Sequence, residues 1–194
     1  FSIFFYSLSI ILVVRFMNLK KVKIINVFAV FLLSFLAHNI YKWFPNTITS
    51  IFFPVNESIF EHMKIISTCF LFYGIFEFFI IKHFNIKFNN YLFSCFLSVL
   101  LGIIIYLIIF VPIHLFISRS MFIPIILLFI VYIFMNIISY YILTINEIPH
   151  IENISIILVI ALYILFGYLT YNPPHIFLFF DTVLEKYGIN EYLV

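Results

Sequence analysis

The segment Phe53-Pro54-Val55-Asn56-Glu57-Ser58-Ile59-Phe60-Glu61-His62-Met63-Lys64-Ile65 brings two carboxylates, an imidazole and an ammonium into eight residues. Carboxylate and imidazole together can run general acid–base chemistry. The same donors, gathered from different helices, suit a divalent transition metal. The surroundings give this cluster its weight. The 194 residues are 65% hydrophobic, 22% aromatic and only 9% charged. Ionisable groups set against a bilayer are costly and need partners or a water-filled cavity.

Two further polar groups punctuate the apolar chain. One is His38, Tyr41, Lys42 and Trp43; the other is Tyr171-Asn172-Pro173-Pro174-His175, with Asp181 six residues on. The candidate acid–base residues are therefore Glu57, His62, His175 and Asp181. The candidate metal ligands are His38, Glu57, Glu61 and His175. The candidate binding residues are His38, Tyr41, Trp43, Asn56, Glu61 and Lys64. The local sequence lacks the His-Glu-x-x-His pattern that sets two imidazoles on one helix face, so a metal site would have to be assembled from separate segments. A Gly-x-Ser-x-Gly elbow, a phosphate-cradling glycine loop and a haem Cys-x-x-Cys-His are also missing.

A purely structural reading competes for the same residues. Pro54 and Val55 end a loop, and a helix is expected to start near Asn56 or Ser58, both good N-caps. Ser58 and Glu61 have capping-box spacing. Glu57, Glu61 and Lys64 would then share one helix face, the last two as an ion pair. That reading accounts for Glu61 and Lys64 better than for Glu57 and His62. Elsewhere, Glu77 is expected to snorkel to the boundary beside Lys82. Asn136 and Ser139 are expected to hydrogen-bond between helices, and Cys69 and Cys95 to be buried, inert thiols.

A mean hydropathy of +1.23 excludes an ordinary soluble domain. A net charge of +2 without a basic run gives no footing for nucleic acid. The partner to expect is the lipid bilayer, together with a lipid or small-molecule ligand. Five apolar runs, at about 22–44, 59–81, 91–111, 121–143 and 154–171, are each near the ~20 residues a helix needs to cross. Unbroken runs of this kind do not fit alternating barrel strands. The expected fold is thus an all-α integral membrane bundle of five transmembrane helices within one domain, residues 17–194. Residues 1–16 would add a partial helix, as an extension ahead of a natural start near Met17.

Lys20, Lys21, Lys23, Lys82 and Lys87 flank one side of the spans; Lys42, Lys64, Arg119 and Lys186 flank the other. The group at 20–23 abuts the first span, which places the amino end in the cytoplasm of a multi-pass protein of the cell membrane. The number of spans between them puts all three polar clusters on one membrane face, whichever face that is.

The strings Ala37-His38-Asn39-Ile40-Tyr41-Lys42-Trp43, Pro54-Val55-Asn56-Glu57-Ser58-Ile59-Phe60-Glu61-His62-Met63-Lys64 and Pro173-Pro174-His175 through Asp181 to Tyr187-Gly188 resemble a family of bacterial integral membrane proteins known as a domain of unknown function. The resemblance runs from about Met17 to Gly188. It implies a compact polytopic fold and carries no activity. Family members tend to show Asp-Pro where this chain has Asp181-Thr182, which leaves the tight turn after Asp181 open. Three functions remain in view. One is a metal-assisted hydrolase or transferase on a lipid-like substrate, the second a small-molecule or ion transporter or accessory binding subunit, and the third a non-catalytic scaffold.

Overall fold

The computed structural model describes residues 17–116 and 122–189. Six helices follow in order: α1 (Leu19–Trp43), α2 (Thr47–Phe52), α3 (Ile59–His83), α4 (Tyr91–Phe116), α5 (Phe122–Thr144) and α6 (Ile151–Tyr171). All except α2 are long and apolar enough to cross a membrane, so the fold is the expected all-α bundle with five candidate spans. The expected partial helix at 1–16 lies outside the described residues. The short α2 was not anticipated. Its sequence signal is Asn46 followed by Thr49, which exchange reciprocal capping bonds.

Helices α1, α3, α4 and α5 close a ring, each packing on the next, while α6 leans on α4 and α2 from outside. The ring's interior holds Val30, Ile66, Cys69, Val99, Val131, Tyr132 and Met135. Gly102 lets α4 approach α5 closely, since a Cβ there would lie 2.6 Å from Met135 Sδ. The outward pattern is the inverse of a soluble protein's. Ile108, Phe122, Ile126, Ile157 and Ile164 are more than half exposed, whereas Ser67, Thr68, Ser94, Ser98, Ser139 and Ser155 are buried. Surface lipid is as apolar as leucine, so small polar residues go to the helix contacts, where all of these except Ser98 find hydrogen-bond partners. Both thiols, Cys69 and Cys95, are free and buried.

Among the described residues, two ion pairs lie inside this bundle. Near one end, Lys23 Nζ sits 2.5 Å from Glu77 Oε1 and 2.6 Å from Ser139 Oγ, and Asn26 donates to the other Glu77 oxygen. This corrects the expectation for Glu77. It lies on the same face of α3 as the buried Phe70, Gly74 and Ile81, so it points at α1 and not towards Lys82. Lys82 instead spreads over the rings of Phe78 and Phe88. Asn136 also differs from expectation, donating within its own helix to the Tyr132 carbonyl.

Towards the other end, Lys64 Nζ is 2.6 Å from Glu61 Oε2, and neither side chain has appreciable exposure. The ammonium also donates to the Ser50 carbonyl and to Thr170 Oγ1, both at 2.7 Å. Glu61 Oε2 additionally accepts from the Val55 amide. One cluster therefore fastens α2, α3, α6 and the loop before α3.

Past α6, the chain forms a 3-10 turn at Phe177–Phe179 and a two-stranded antiparallel hairpin, β1 (Phe180–Asp181) with β2 (Lys186–Tyr187). Phe179 packs on Phe60 with centroids 4.5 Å apart. The turn after Asp181 forms without proline. Asp181 Oδ1 accepts from the Val183 and Leu184 amides at 2.7 and 3.1 Å, and Glu185 takes the left-handed φ of 55°.

Breaking one side of a fully buried pair strands the other charge, at a cost of about 3–5 kcal/mol. Glu61→Gln is therefore expected to destabilise by about that much, more than the ~1 kcal/mol that loss of an exposed helical pair and cap would cost. Replacing both partners with apolar residues (Glu61→Leu with Lys64→Met) should recover most of the loss. Denaturant titration in detergent measures both.

Candidate functional site

Sequence position decides how Glu57 and Glu61 diverge. Helix α3 starts at Ile59 with Ser58 as its N-cap, whose side chain accepts from the Glu61 amide at 3.4 Å. Glu57 therefore precedes the helix and does not share a face with Glu61 and Lys64 as expected. The capping box is also incomplete. The Ser58 amide donates to Asn56 Oδ1 at 2.9 Å, and Glu61 turns inward to Lys64. Asn56 spends its other group on the Gly188 carbonyl, also at 2.9 Å.

Freed from the helix, Glu57 meets α1. Its Oε2 lies 3.3 Å from His38 Nε2 and 3.8 Å from His62 Nε2, and its Oε1 accepts from Lys42 Nζ at 3.1 Å. The two imidazoles stand edge to face, with centroids 5.5 Å apart. His62 Nδ1 lies 2.8 Å from the Ser58 carbonyl. A carbonyl only accepts, so Nδ1 carries a proton; when the ring is neutral, Nε2 presents its lone pair towards Glu57, and when it is protonated both nitrogens donate. The hydrogen bond from His38 holds the Glu57 carboxyl down at about 2, aided by the charge of both imidazoles and by Lys42 and opposed by partial burial. One donor atom each from His38, Glu57 and His62 fall within 4.8 Å of one another.

The hairpin supports this group from behind. Asp181 is buried, and its Oδ2 accepts from the Glu57 backbone amide at 3.1 Å. Asp181 therefore positions Glu57, while its remaining oxygen is spent on its own turn. In front lies a cleft of about 350 Å³, lined by Ser34, Phe35, His38 and Asn39 of α1, Glu57, His62 and Ile65, Tyr106 of α4, and Pro124, Ile125 and Leu128 of α5. Its walls are mostly apolar, with the imidazoles and Glu57 as the ionisable groups.

The other candidate residues lie elsewhere. Glu61 and Lys64 belong to the structural pair described above. Tyr41 is buried and Trp43 is exposed. His175 stacks on Tyr187 of the hairpin, with centroids 4.5 Å apart and planes 14° from parallel, and is not part of the His38–Glu57–His62 group. Glu57 links two of the other polar segments, meeting His38 through its carboxylate and Asp181 through its backbone amide. The choice of His62 over Glu61 and His175 as the third member follows from where α3 begins. Tyr106 and Ser34 were not singled out from the sequence. A lone Tyr or Ser in an apolar run carries no local signal, and only the packing places them on the cleft.

No curated protein and no solved structure matches the chain. Residues 12–189 match the model of a family described as a family of unknown function, DUF6512. With that match spanning most of its length, this multi-pass helical membrane protein belongs to the DUF6512 family.

Proposed function

We propose that His38, Glu57 and His62 hold a divalent transition metal, zinc above all, and that the protein is a metal-assisted hydrolase acting on an amphiphile lodged in the adjoining cleft. The observation that carries this reading is the convergence of three donors from α1, the Glu57 loop and α3 on one point beside an apolar cavity. Donors bound tetrahedrally to zinc at ~2.0–2.1 Å lie about 3.3 Å from one another. The observed 3.3 and 3.8 Å to Glu57 Oε2 need little adjustment. Two imidazoles and one carboxylate leave a coordination position for water, as in hydrolytic zinc sites. The His62 Nδ1–H bond to Ser58 fixes the ring in the tautomer a metal requires, and Lys42 holds the second Glu57 oxygen away from the histidines.

In the reaction, the ion would lower the pKa of its water and polarise the ester or phosphoester. Water supplies hydroxide to the acyl carbon or phosphorus, the bond to the alcohol oxygen breaks, and the water's other proton ends on the departing alcohol. No oxidant or further reactant is needed. The transport reading, in which Glu57 and Glu61 would carry a proton or cation, is less well supported, because Glu61 is neutralised by a buried ammonium. We also infer that the amino end faces the cytoplasm of the cell membrane, on the strength of the Lys20–Lys23 group.

Purified protein is expected to take up zinc in near-stoichiometric amount. Glu57→Gln and His62→Ala should each abolish that uptake while leaving the helical circular dichroism spectrum unchanged. Full zinc loading of both variants would sink the proposal.

Glu57 also predicts a pH dependence in the metal-free protein. Its folded pKa of about 2 lies below the ordinary 4.5, so its contribution to stability is complete above about pH 4.5. That contribution is lost as the pH falls through about 2. The stability gap between the native sequence and Glu57→Gln should close as the pH falls through that window, as read by thermal unfolding at pH values across it.

A further inference from the structure

Tyr106 lines the cleft from α4, and its hydroxyl is buried with no hydrogen-bond partner. Three other buried side-chain atoms among the described residues lack partners, Asn26 Oδ1, Ser98 Oγ and Asn136 Oδ1, but none of their residues lines this cleft. A buried hydroxyl without a partner carries a cost in stability. Nothing in the packing of Tyr106 repays it. The ring stacks on Phe110 with centroids 5.0 Å apart and planes 11° from parallel, a contact that phenylalanine would make equally well.

Depth narrows what the hydroxyl can meet. Tyr106 lies ten residues, about 15 Å of helix, from the end of α4 at Phe116, whereas His62 lies three residues, about 4.5 Å, from the start of α3. The cleft thus has an ionisable mouth and, farther along its α4 wall, a tyrosine whose closed-off neutral hydroxyl has no partner. Ser34, also on the cleft, already donates to the Phe31 carbonyl. A charged group would be poorly accommodated at that depth. A neutral acceptor on an otherwise apolar chain fits it.

Resting on the cleft as the ligand site, we propose that Tyr106 donates a hydrogen bond to the ester or amide carbonyl of an acyl lipid whose polar head lies at His38, Glu57 and His62. The ligand class is then an acylated amphiphile. Prenyl phosphates, which carry no acceptor beyond the phosphate, are disfavoured. A site built to hydrogen-bond a group discriminates against the analogue that lacks it, because its own buried polar atom is left unpaired.

The test compares 1-palmitoyl lysophosphatidic acid with its 1-O-hexadecyl ether analogue, which has the same head and chain length but no carbonyl. Binding of each to the full chain in lipid nanodiscs is measured by native mass spectrometry, with zinc content determined on the same samples. The native protein should bind the ester about three- to tenfold more tightly, as one neutral hydrogen bond allows. Tyr106→Phe should bind both lipids at the level of the ether, with an unchanged or higher melting temperature. Equal binding of the two lipids by the native protein, binding of neither, or a preference that survives Tyr106→Phe overturns the proposal. Failure of Tyr106→Phe to fold overturns it too, since the hydroxyl would then have a structural role. An ester preference without zinc would sink the metal site alone; zinc uptake without the preference would sink the role of Tyr106 alone.

Discussion

Lys64 carries an ammonium into a position with no exposed surface, in a part of the bundle that water does not reach. Removing such an ion from water costs several kcal/mol, recovered only where every donor is matched. The outer architecture is organised around that requirement. Glu61 supplies the countercharge, Ser50 a carbonyl from α2, and Thr170 a hydroxyl from α6. Helices α2, α3 and α6, which also meet through the ring pairs Phe52–Phe72, Phe52–Tyr163 and Phe60–Phe166, are thereby tied at one polar point. Glu61 is committed inward, and the Ser58 cap sets where α3 begins. Glu57 is then left on the loop, where it meets His38.

The spans were legible in the sequence because apolar run length alone determines them: α1, α3, α4, α5 and α6 begin and end close to the expected positions. The Glu61–Lys64 pair was legible for a similar reason, being local and at helical spacing. What could not be read was any pairing set by the rotation of one helix against another. Glu77 is five residues from Lys82 and 54 from Lys23, yet it bonds to the distant one, because periodicity tells which face is buried and not which neighbour faces it.

The candidate site was legible in composition and not in membership. His38, Glu57, His62 and Asp181 were all candidates, but a difference of two residues in the start of α3 decides whether Glu57 lies beside Glu61 or beside the histidines. Helix ends are the least certain feature of any sequence reading. The bond from the Glu57 amide to Asp181 leaves no sequence trace, since every residue other than proline offers the same donor.

That bond has a consequence for how the protein is made. Glu57 and Asp181 are 124 residues apart, so the Glu57 loop is made well before the segment that supports it. The five apolar helices can insert and pack while the histidines still face an unanchored loop. The chemistry-bearing group is completed last, when the hairpin closes over it. Packing of the helices and support of the Glu57 loop thus depend on segments made at different times, the second on the hairpin that follows the last span.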